Sequence, residues 1–403
     1  MRVGYMSAMG LVSILICYIF PARCGQATAK DAGSNLHQLA ELTASDSGGA
    51  TDGFGSSVAI SGNTAVVGAP QAHNGAGAAY VFVKPQNGWT SMTQTAELTP
   101  SDSVPGINFG SSVAISGSNI VVGSFAHNAA YVFTRPQGGW KDMTQTAILS
   151  ADRDGVPDLF GFNVAIDGAT IAVSAYQASF SRGRVDVFVE PAGGWVNAQS
   201  TGHLSASDTT VNSFFGAGLA MSGSAIVVGA FGNSNDRGSA YVFVRPSTGW
   251  KGSHTQTAEL TATDGASLDF FGDGLAIRGN TIAVGASGKN NNTGAAYVYV
   301  EPATGWVNMT QTAELTASDG APSAFLGSGM AVIPNLVVAG AQSNGGAGAV
   351  YAYVKPPSGW QNSTQTDKVT APGSGELGSS DGVVGSTILS GARNSSTAYI
   401  FGP

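Results

Sequence analysis

Three segments of this 403-residue sequence carry charged and amide side chains of the kind that bind a polar ligand. They are residues 177–184, 231–237 and 289–293, and Phe180 and Phe231 add aromatic rings that could stack on such a ligand. The candidate ligand-binding residues are Arg182, Arg184, Asn233, Asp236, Arg237, Lys289 and Asn290. Amides, charges and an aromatic face suit a sugar or a peptide carboxylate. The alternative interpretation is that these are ordinary polar loops.

Catalytic motifs give little support for an enzyme. Residues 378–382 match G-x-S-x-G and residues 373–378 match G-x-G-x-x-G, but both motifs need a following helix and a strand pattern follows here. The sequence has no H-E-x-x-H motif and no P-loop. His73 and His127 each stand within Ala-His-Asn, but the sequence shows no third ligand for a metal. We therefore expect a protein without catalytic residues.

The elements that must position these residues are seven copies of one repeat, marked at four points. The first marker is a residue followed by Gly: Phe54, Phe109, Phe160, Phe215, Phe271, Leu326 and Leu377. The second, 14 residues later, is small: Gly68, Gly123, Ser174, Gly229, Gly285, Gly340 and Gly391. The third is Tyr80, Tyr131, Asp186, Tyr241, Tyr297, Tyr351 and Tyr399. The fourth, 9 residues further on, is Trp89, Trp140, Trp195, Trp250, Trp306 and Trp360.

Each repeat contains four short β-rich runs separated by Gly, Asn and Pro, which we interpret as antiparallel strands A to D. Runs such as AAYVFV are apolar on both faces, which predicts a sheet packed between two other sheets. A unit of about 50 residues buries too little surface to fold alone. The sequence therefore predicts an all-β, seven-bladed β-propeller with four strands per blade.

The last repeat lacks strand D, because the chain stops at Pro403 without a GW segment. A matching segment, LAELT, precedes the first repeat at residues 39–43. We expect an N-terminal strand at about 37–43 to complete blade 7, close the ring and remove both open edges.

FGSSVAISGNTAVVGAP, residues 54–70, resembles the FG-GAP repeat, the unit of the integrin α-subunit head propeller. The resemblance covers nearly all of residues 37–403, although the GAP half is complete only at residues 68–70. Members of that family are mostly adhesion or ligand-binding modules, so the resemblance implies recognition rather than catalysis and leaves the ligand unspecified.

Integrin-type repeats often carry an Asp-rich calcium loop before the GAP segment, and here that place holds only short turns. The nearest fit is SADRDGVPD at residues 150–158, which has Ser150 where a first Asp is usual. Calcium held by Asp152, Asp154 and Asp158 is one hypothesis, and a polar turn between two blades is the other. No other cofactor is expected.

Variation in length concentrates in two places, between strands B and C and between strand D and the next strand A, and the one other change is a single extra residue between Trp250 and Leu260. In a four-stranded meander these two sets of loops emerge on the same face. Binding residues tend to lie on variable loops held by a rigid scaffold, so we place any ligand site on this irregular face. Tolerance of surface loops to insertion is the alternative explanation.

Composition limits the partners and the compartment. A formal charge of −8 with only 10% charged residues argues against nucleic acid or an anionic membrane as partner. Residues 1–29 contain an uncharged run and Ala27-Thr28-Ala29, which predicts a cleaved secretory signal peptide, with a signal anchor as the alternative. Both cysteines, Cys17 and Cys24, lie in this segment, so no disulfide is expected in the mature chain.

These observations predict one propeller domain at residues 30–403, secreted, periplasmic or on the cell surface. We expect a monomer, not inserted in a membrane after signal cleavage, that binds a protein or glycan ligand through the loops of one face. A lectin is the first alternative, and an enzyme that acts on polysaccharide or lipid through propeller loops is the second.

Overall fold

The computed structural model describes residues 35–46, 49–152 and 158–403. These residues form seven sheets arranged in a ring, which confirms the predicted seven-bladed β-propeller. The expected signal peptide and both cysteines lie outside the described residues. Among the described residues, no helix has the length and apolar character needed to cross a membrane.

The strands are given in chain order, blade by blade. The closing strand is β1 (His37–Thr43). Blade 1 contains β2 (Ser57–Ser61), β3 (Thr64–Ala69), β4 (Ala78–Val83), β5 (Met92–Thr93) and β6 (Ala96–Leu98). Blade 2 contains β7 (Ser112–Ser116), β8 (Asn119–Ser124), β9 (Ala129–Thr134) and β10 (Ala147–Ser150). Blade 3 contains β11 (Phe160–Asp167), β12 (Thr170–Ala175), β13 (Arg184–Val189), β14 (Ala198–Gln199) and β15 (Gly202–Ser205).

The second half of the ring repeats this order. Blade 4 contains β16 (Gly218–Ser222), β17 (Ala225–Ala230), β18 (Ser239–Val244), β19 (Gly252–Thr255) and β20 (Ala258–Thr261). Blade 5 contains β21 (Phe271–Arg278), β22 (Thr281–Ala286), β23 (Ala295–Val300), β24 (Met309–Thr310) and β25 (Ala313–Thr316). Blade 6 contains β26 (Leu326–Ile333), β27 (Leu336–Ala341), β28 (Ala349–Val354), β29 (Ser363–Thr364) and β30 (Asp367–Val369). Blade 7 contains β31 (Leu377–Val384), β32 (Thr387–Ala392) and β33 (Thr397–Gly402). The short strands β5, β14, β19, β24 and β29 each join the sheet of the blade before the one in which they are named.

Short helical turns occupy the loops between strands B and C. Four of them are α1 (Ala72–Gly75), α2 (Ala178–Ser181), α3 (Asn233–Asp236) and α4 (Lys289–Asn292). Each contains residues in the left-handed region, such as Asn74 at φ 61°. Single 3₁₀ turns lie at Ala50–Asp52, Phe125–His127, Asn344–Gly346 and Arg393–Ser395.

The predicted closure of the ring is confirmed. Strand β1 pairs antiparallel with β33, with His37 opposite Gly402 and Leu42 opposite Ala398. Strand β1 is therefore the outer, D-type strand of blade 7. Ala40 and Leu42 then pack with Phe54, Tyr80 and other residues of blade 1 in one hydrophobic cluster.

The core consists of seven hydrophobic clusters, one at each junction between neighbouring blades. Strand β4 shows how this follows from the sequence. Tyr80 and Phe82 face blade 7, whereas Ala79 and Val81 face blade 2. Each sheet is therefore buried on both faces, as the apolar runs predict. The six Trp residues are all buried, at 3–8% exposure, in agreement with a packing role.

Two of the repeat's glycines are required by geometry. The Gly of each Phe/Leu-Gly pair has φ between 87° and 100°, a conformation that L-residues rarely adopt. The second-marker Gly lies against the next blade, since a Cβ on Gly68 would stand 2.0 Å from the Gly110 carbonyl oxygen.

The structure adds a fifth strand that the sequence analysis did not predict. The short strands β5, β14, β19, β24 and β29 each pair in parallel with the D strand of the preceding blade. A glutamine reinforces five of the blade junctions, since its amide accepts from a backbone N–H and donates to the hydroxyl of the same residue. The pairs of this Gln clamp are Gln94–Ser45, Gln145–Ser101, Gln256–Ser207, Gln311–Thr263 and Gln365–Ser318.

Candidate functional site

The B–C loops and the D–A loops lie on one face, as predicted, and they are hydrogen-bonded to each other. Gly106 and Asn108 donate their backbone N–H groups to the Gly75 carbonyl at 3.0 and 3.1 Å. The Asn212 N–H likewise donates to the Phe180 carbonyl at 3.3 Å. We call this surface the B–C face. Each B–C loop is thus supported by the D–A loop that leads to the next blade.

A polar cavity of about 260 Å³ lies on the propeller axis at the B–C face. The first residues of all seven A strands line it. Its polar lining residues are Ser56, Ser57, Ser111, Ser112, Asn163, Asp273, Ser328, Ser379, Ser380 and Asp381. The opposite end of the axis differs, because Ile60, Ile115 and Ile277 help to line a separate cavity there. Small hydroxyl side chains keep the axial cavity open and hydrophilic.

Asp381 departs from the repeat inside this axial cavity. The equivalent residues of the other six blades are apolar: Val58, Val113, Val164, Leu219, Leu275 and Met330. Asp381 is 8% exposed, and neither carboxyl oxygen has a hydrogen-bond partner of normal geometry within the described structure. Burial raises its pKa to about 7, although the nearby Ser390 hydroxyl opposes the shift. A neutral carboxyl group therefore lines the cavity at mildly acidic pH.

Asp273 is the other carboxyl group of the axial cavity. Burial raises its pKa to about 6, and hydrogen bonds from Ser287 and Gly274 oppose that rise. The Gly274 N–H donates to Asp273 Oδ1 at 2.7 Å. Asp273 therefore differs from Asp381 in having partners that favour its ionised form.

An unbroken series of six aromatic rings runs along the B–C face, and Phe162 places it beside the cavity, because Ser56 and Ser111 line the cavity from the same position of the repeat. The rings are Phe125, Phe162, Tyr176, Phe214, Phe231 and Phe270, and successive centroids are 6.0, 4.1, 6.0, 5.0 and 5.8 Å apart. They belong to blades 2 to 5, and all six are half-buried. We call this series the aromatic crescent. Its rings hold one another in place and retain exposed surface.

A groove of about 430 Å³ continues from the axial cavity, because Ser56 and Ser111 line both. Phe125 of the crescent also lines this groove. Gln71 and Arg393 add polar groups from blades 1 and 7. The mouth is thus aromatic along blades 2–5 and polar along blades 7 and 1.

The seven predicted ligand-binding residues lie farther out on the same face, and they differ in how much of each side chain is exposed. Arg182, Arg237 and Asn290 are exposed, and Asp236 is half-exposed. The remaining three, Arg184, Asn233 and Lys289, are largely or fully buried, with Arg184 only 13% exposed. The Arg237 N–H donates to the Asn233 carbonyl, but within the described part of the chain no side-chain hydrogen bond or ion pair joins any two of the seven.

The buried members anchor the loops through a network that recurs in five blades. There the third-marker Tyr donates its hydroxyl to an Asp that follows a D strand: Tyr80–Asp46, Tyr131–Asp102, Tyr241–Asp208, Tyr297–Asp264 and Tyr351–Asp319. Asn233 Nδ2 joins it by donating to Tyr241 at 2.6 Å and to Asp208 at 3.1 Å. Lys289 lies 2.6 Å from Asp264. Burial alone would raise the pKa of Asp264, but Lys289 and Tyr297 lower it.

Blade 3 replaces this network with charged groups. Asp186, which stands in place of the Tyr, is fully buried and accepts a hydrogen bond from Arg184 Nε at 3.0 Å. His203 lies between two carboxylates, with Nδ1 2.7 Å from Asp186 and Nε2 3.2 Å from Asp152. Of the three predicted calcium ligands, Asp152 therefore faces His203, and Asp158 lies 4.0 Å from Arg184. Asp154 lies outside the described residues.

Sequence reasoning missed the aromatic crescent and Asp381 for different reasons. Alignment of the seven repeats could have revealed Asp381, since it is the one charged residue at its position. The crescent rings occupy three positions of the repeat: Phe125, Tyr176 and Phe231 each stand two residues after the second marker, Phe214 and Phe270 each precede a Phe-Gly pair, and Phe162 follows one. Alignment shows that the first two positions recur, but only the closed ring shows that rings from all three positions meet in one series.

The fold and this surface define a class: a seven-bladed β-propeller of the type that serves as a binding module. A profile described as the FG-GAP repeat matches residues 36–82, 92–133, 199–243, 254–299 and 309–353, which is more than half of the chain. The protein therefore belongs to the FG-GAP repeat family. The matched ranges leave out strands A to C of blades 3 and 7, where Asp186 and Asp381 depart from the pattern.

No curated protein matches the chain. Among solved structures, it is similar to the crystal structure of the computationally designed Ika8 protein. That likeness has 15% sequence identity and a TM-score of 0.49, and it covers 91% of this chain and 99% of the designed one.

Proposed function

We propose that this protein is a non-catalytic binding module that acts outside the cytoplasm and holds a carbohydrate at the mouth of its axial cavity. The observation that carries this proposal is the aromatic crescent beside a cavity lined by hydroxyl, amide and carboxyl groups. Sugars present C–H faces that pack on aromatic rings and hydroxyl groups that need both donors and acceptors. The leader-like residues 1–29 support an extracellular destination.

The lining of the cavity supports binding without catalysis. Its serines have no His beside them among the lining residues, so none is paired with a general base. Asp273 and Asp381 belong to blades 5 and 7, which are not neighbours. Two carboxyl groups with raised pKa values could nevertheless serve an enzyme, so the test must include a search for cleavage products.

A glycan array probed with the purified protein, followed by calorimetry on the best ligand, tests the proposal. We expect Phe214→Ala to weaken binding by at least about fivefold, because stacking on one ring contributes about 1 kcal/mol or more. Phe325→Ala is the matched control. Phe325 is half-buried, precedes its Leu-Gly pair as Phe214 precedes Phe-Gly, and has a similar φ (58° against 55°), but it lies outside the crescent.

A blank array with folded protein would refute the carbohydrate proposal. Equal losses of affinity in Phe214→Ala and Phe325→Ala would show that the crescent does not contact the carbohydrate. Cleaved glycans after incubation, lost in Asp381→Asn, would replace the binding module with a hydrolase.

A second candidate, a protein partner, is favoured by exposed apolar groups on the outer part of the B–C face. Phe180 is 86% exposed, Val211 55% and Leu268 57%, and Arg182 is also exposed. Aromatic residues and Arg are enriched at the centres of protein interfaces. A partner captured by the wild type and by Phe214→Ala, but not by Phe180→Asn, would establish this function instead.

A further inference from the structure

A cluster on the outer part of blade 1 supports an inference that does not depend on the proposed function. His73 from α1, Asp46 from the segment after β1 and Glu97 from β6 meet there. His73 Nε2 lies 2.7 Å from Glu97 Oε1 and 3.4 Å from Asp46 Oδ2. All three side chains are reachable from solvent, at 44%, 24% and 34% exposure for His73, Glu97 and Asp46. We call this cluster the blade-1 triad.

One ring nitrogen faces two carboxylate oxygens in this triad, and that geometry is poorly satisfied by hydrogen bonding alone. A neutral imidazole nitrogen carries either one proton or one lone pair. One proton satisfies one carboxylate well, and a lone pair repels both. A divalent cation among the three atoms accepts electron pairs from all of them.

We propose that His73, Asp46 and Glu97 bind a divalent transition-metal ion of the Zn²⁺ type, with solvent completing the coordination. One imidazole and two carboxylates are ligands that Zn²⁺ accepts at about 2.0–2.2 Å, which sets tetrahedral ligand atoms about 3.3 Å apart. The Nε2–Oδ2 distance of 3.4 Å already fits. The Nε2–Oε1 pair must open by a few tenths of an ångström, which partly exposed side chains permit.

Tyr80 supports the site by holding one of its ligands, without being a ligand itself. Its hydroxyl donates to Asp46 Oδ2 at 3.2 Å, so the carboxylate keeps its orientation toward His73. Such outer partners fix metal-binding carboxylates in established sites. Bound metal would also join Asp46, which follows the ring-closing strand β1, to blade 1.

Two other clusters show why blade 1 is the favourable place. In blade 3 the two carboxylates face different nitrogens of His203, and Asp186 is also paired with Arg184. These groups therefore satisfy one another without a metal ion. In blade 2, His127 lies 3.7 Å from Asp102 and is 2.8 Å from the Tyr131 hydroxyl. There Ile148 stands where blade 1 has Glu97, so one ligand is missing.

Calorimetric titration of the metal-stripped full chain with ZnCl₂, together with thermal unfolding, tests the site. The variant is His73→Asn, because His73 has φ 52° and Asn290 adopts φ 50° at the same position of α4. We expect the wild type to bind one ion and to unfold at higher temperature with zinc, since the ion binds only the folded state. His73→Asn should weaken binding by at least about tenfold, the scale seen when even an outer partner is lost.

His127→Asn is the matched control and should bind zinc as the wild type does. Glu97→Gln should lose affinity as His73→Asn does. The proposal is overturned if the wild type shows no binding at millimolar zinc, if His73→Asn binds equally well, or if His127→Asn loses as much affinity.

Discussion

Asp381 and its six apolar counterparts show how one residue can set the pH dependence of the whole protein. Its raised pKa of about 7 means that the folded chain holds this proton over a pH range in which the unfolded carboxyl, with a pKa near 3.8, has lost it. Stability therefore falls as pH rises from about 4 to about 7 and is constant above that range, as far as this group is concerned. Asp273, with its pKa raised to about 6, acts in the same direction.

We predict that Asp381→Asn reduces the fall in stability between pH 4 and pH 7, and that Asp273 contributes to the part of the fall that remains. Asp381→Val, which copies blades 1 to 3, should raise the free energy of unfolding at pH 8 by on the order of 1–3 kcal/mol, because a buried group without partners is removed. Urea unfolding at several pH values measures both. An unchanged pH profile in Asp381→Asn would show that the carboxyl is solvated.

Phe180 combines two unfavourable features, since its ring is 86% exposed and its backbone has φ 61°. The equivalent residues of blades 1, 4 and 5 are Asn74, Asn235 and Asn291. Asn tolerates the left-handed region better than Phe does. We predict that Phe180→Asn leaves the melting temperature unchanged or raises it. A lower melting temperature would mean that Phe180 supports the fold, which would weaken its role in binding a partner.

Among the elements, the Gln clamp joins neighbouring blades at five junctions through side chain and backbone together. Gln311 of the segment before β25 accepts from the Thr263 N–H at 3.0 Å and donates to its hydroxyl at 2.8 Å. Thr263 is exposed and Gln311 is half-exposed, so each bond contributes modestly to stability.

We predict that Gln311→Ala lowers the free energy of unfolding by about 1 kcal/mol. A double-mutant cycle with Thr263→Val should give a coupling energy of about 0.5 kcal/mol or more, since the two side chains act on each other. Additive effects of the two changes would show that the clamp does not hold the blades together. Chemical denaturation of the four proteins supplies the numbers.

Element positions were largely predictable, because Gly, Trp and Tyr recur at spacings that geometry imposes. Strand β5 and its equivalents escaped prediction, since a two-residue strand shows no alternation of apolar and polar residues. The B–C face followed from loop length, but the buried state of Arg184, Asn233 and Lys289 did not. Their partners, Asp186, Asp208 and Asp264, are distant in sequence or replace a repeat residue. Contacts of this kind become visible only when the blades are stacked.

For the molecule as a whole, stability resides between blades rather than within them, so local damage should act globally. The D-strand residues Leu42 and Leu204 are both fully buried, one at the ring closure and the other in mid-chain. We predict that Leu42→Ala and Leu204→Ala each lower the free energy of unfolding by about 2–5 kcal/mol in one cooperative transition. Circular dichroism and Trp fluorescence should give the same midpoint. Separate midpoints in Leu42→Ala alone would show that the closing strand detaches independently.

The ring-closing pairing also has a consequence in time. A ribosome makes β1 before any other described strand, but its partner β33 comes last, so nearly the whole chain must be synthesised before the two can meet. At about 5–20 residues per second, the roughly 360 residues between β1 and the end of β33 take roughly 20 to 70 seconds. During this time Ala40 and Leu42 can pack against blade 1, which is made directly after β1, but the edge of β1 that pairs with β33 remains unpaired. Because an unpaired strand edge can pair with another chain, the growing protein is open to aggregation until its last strand emerges.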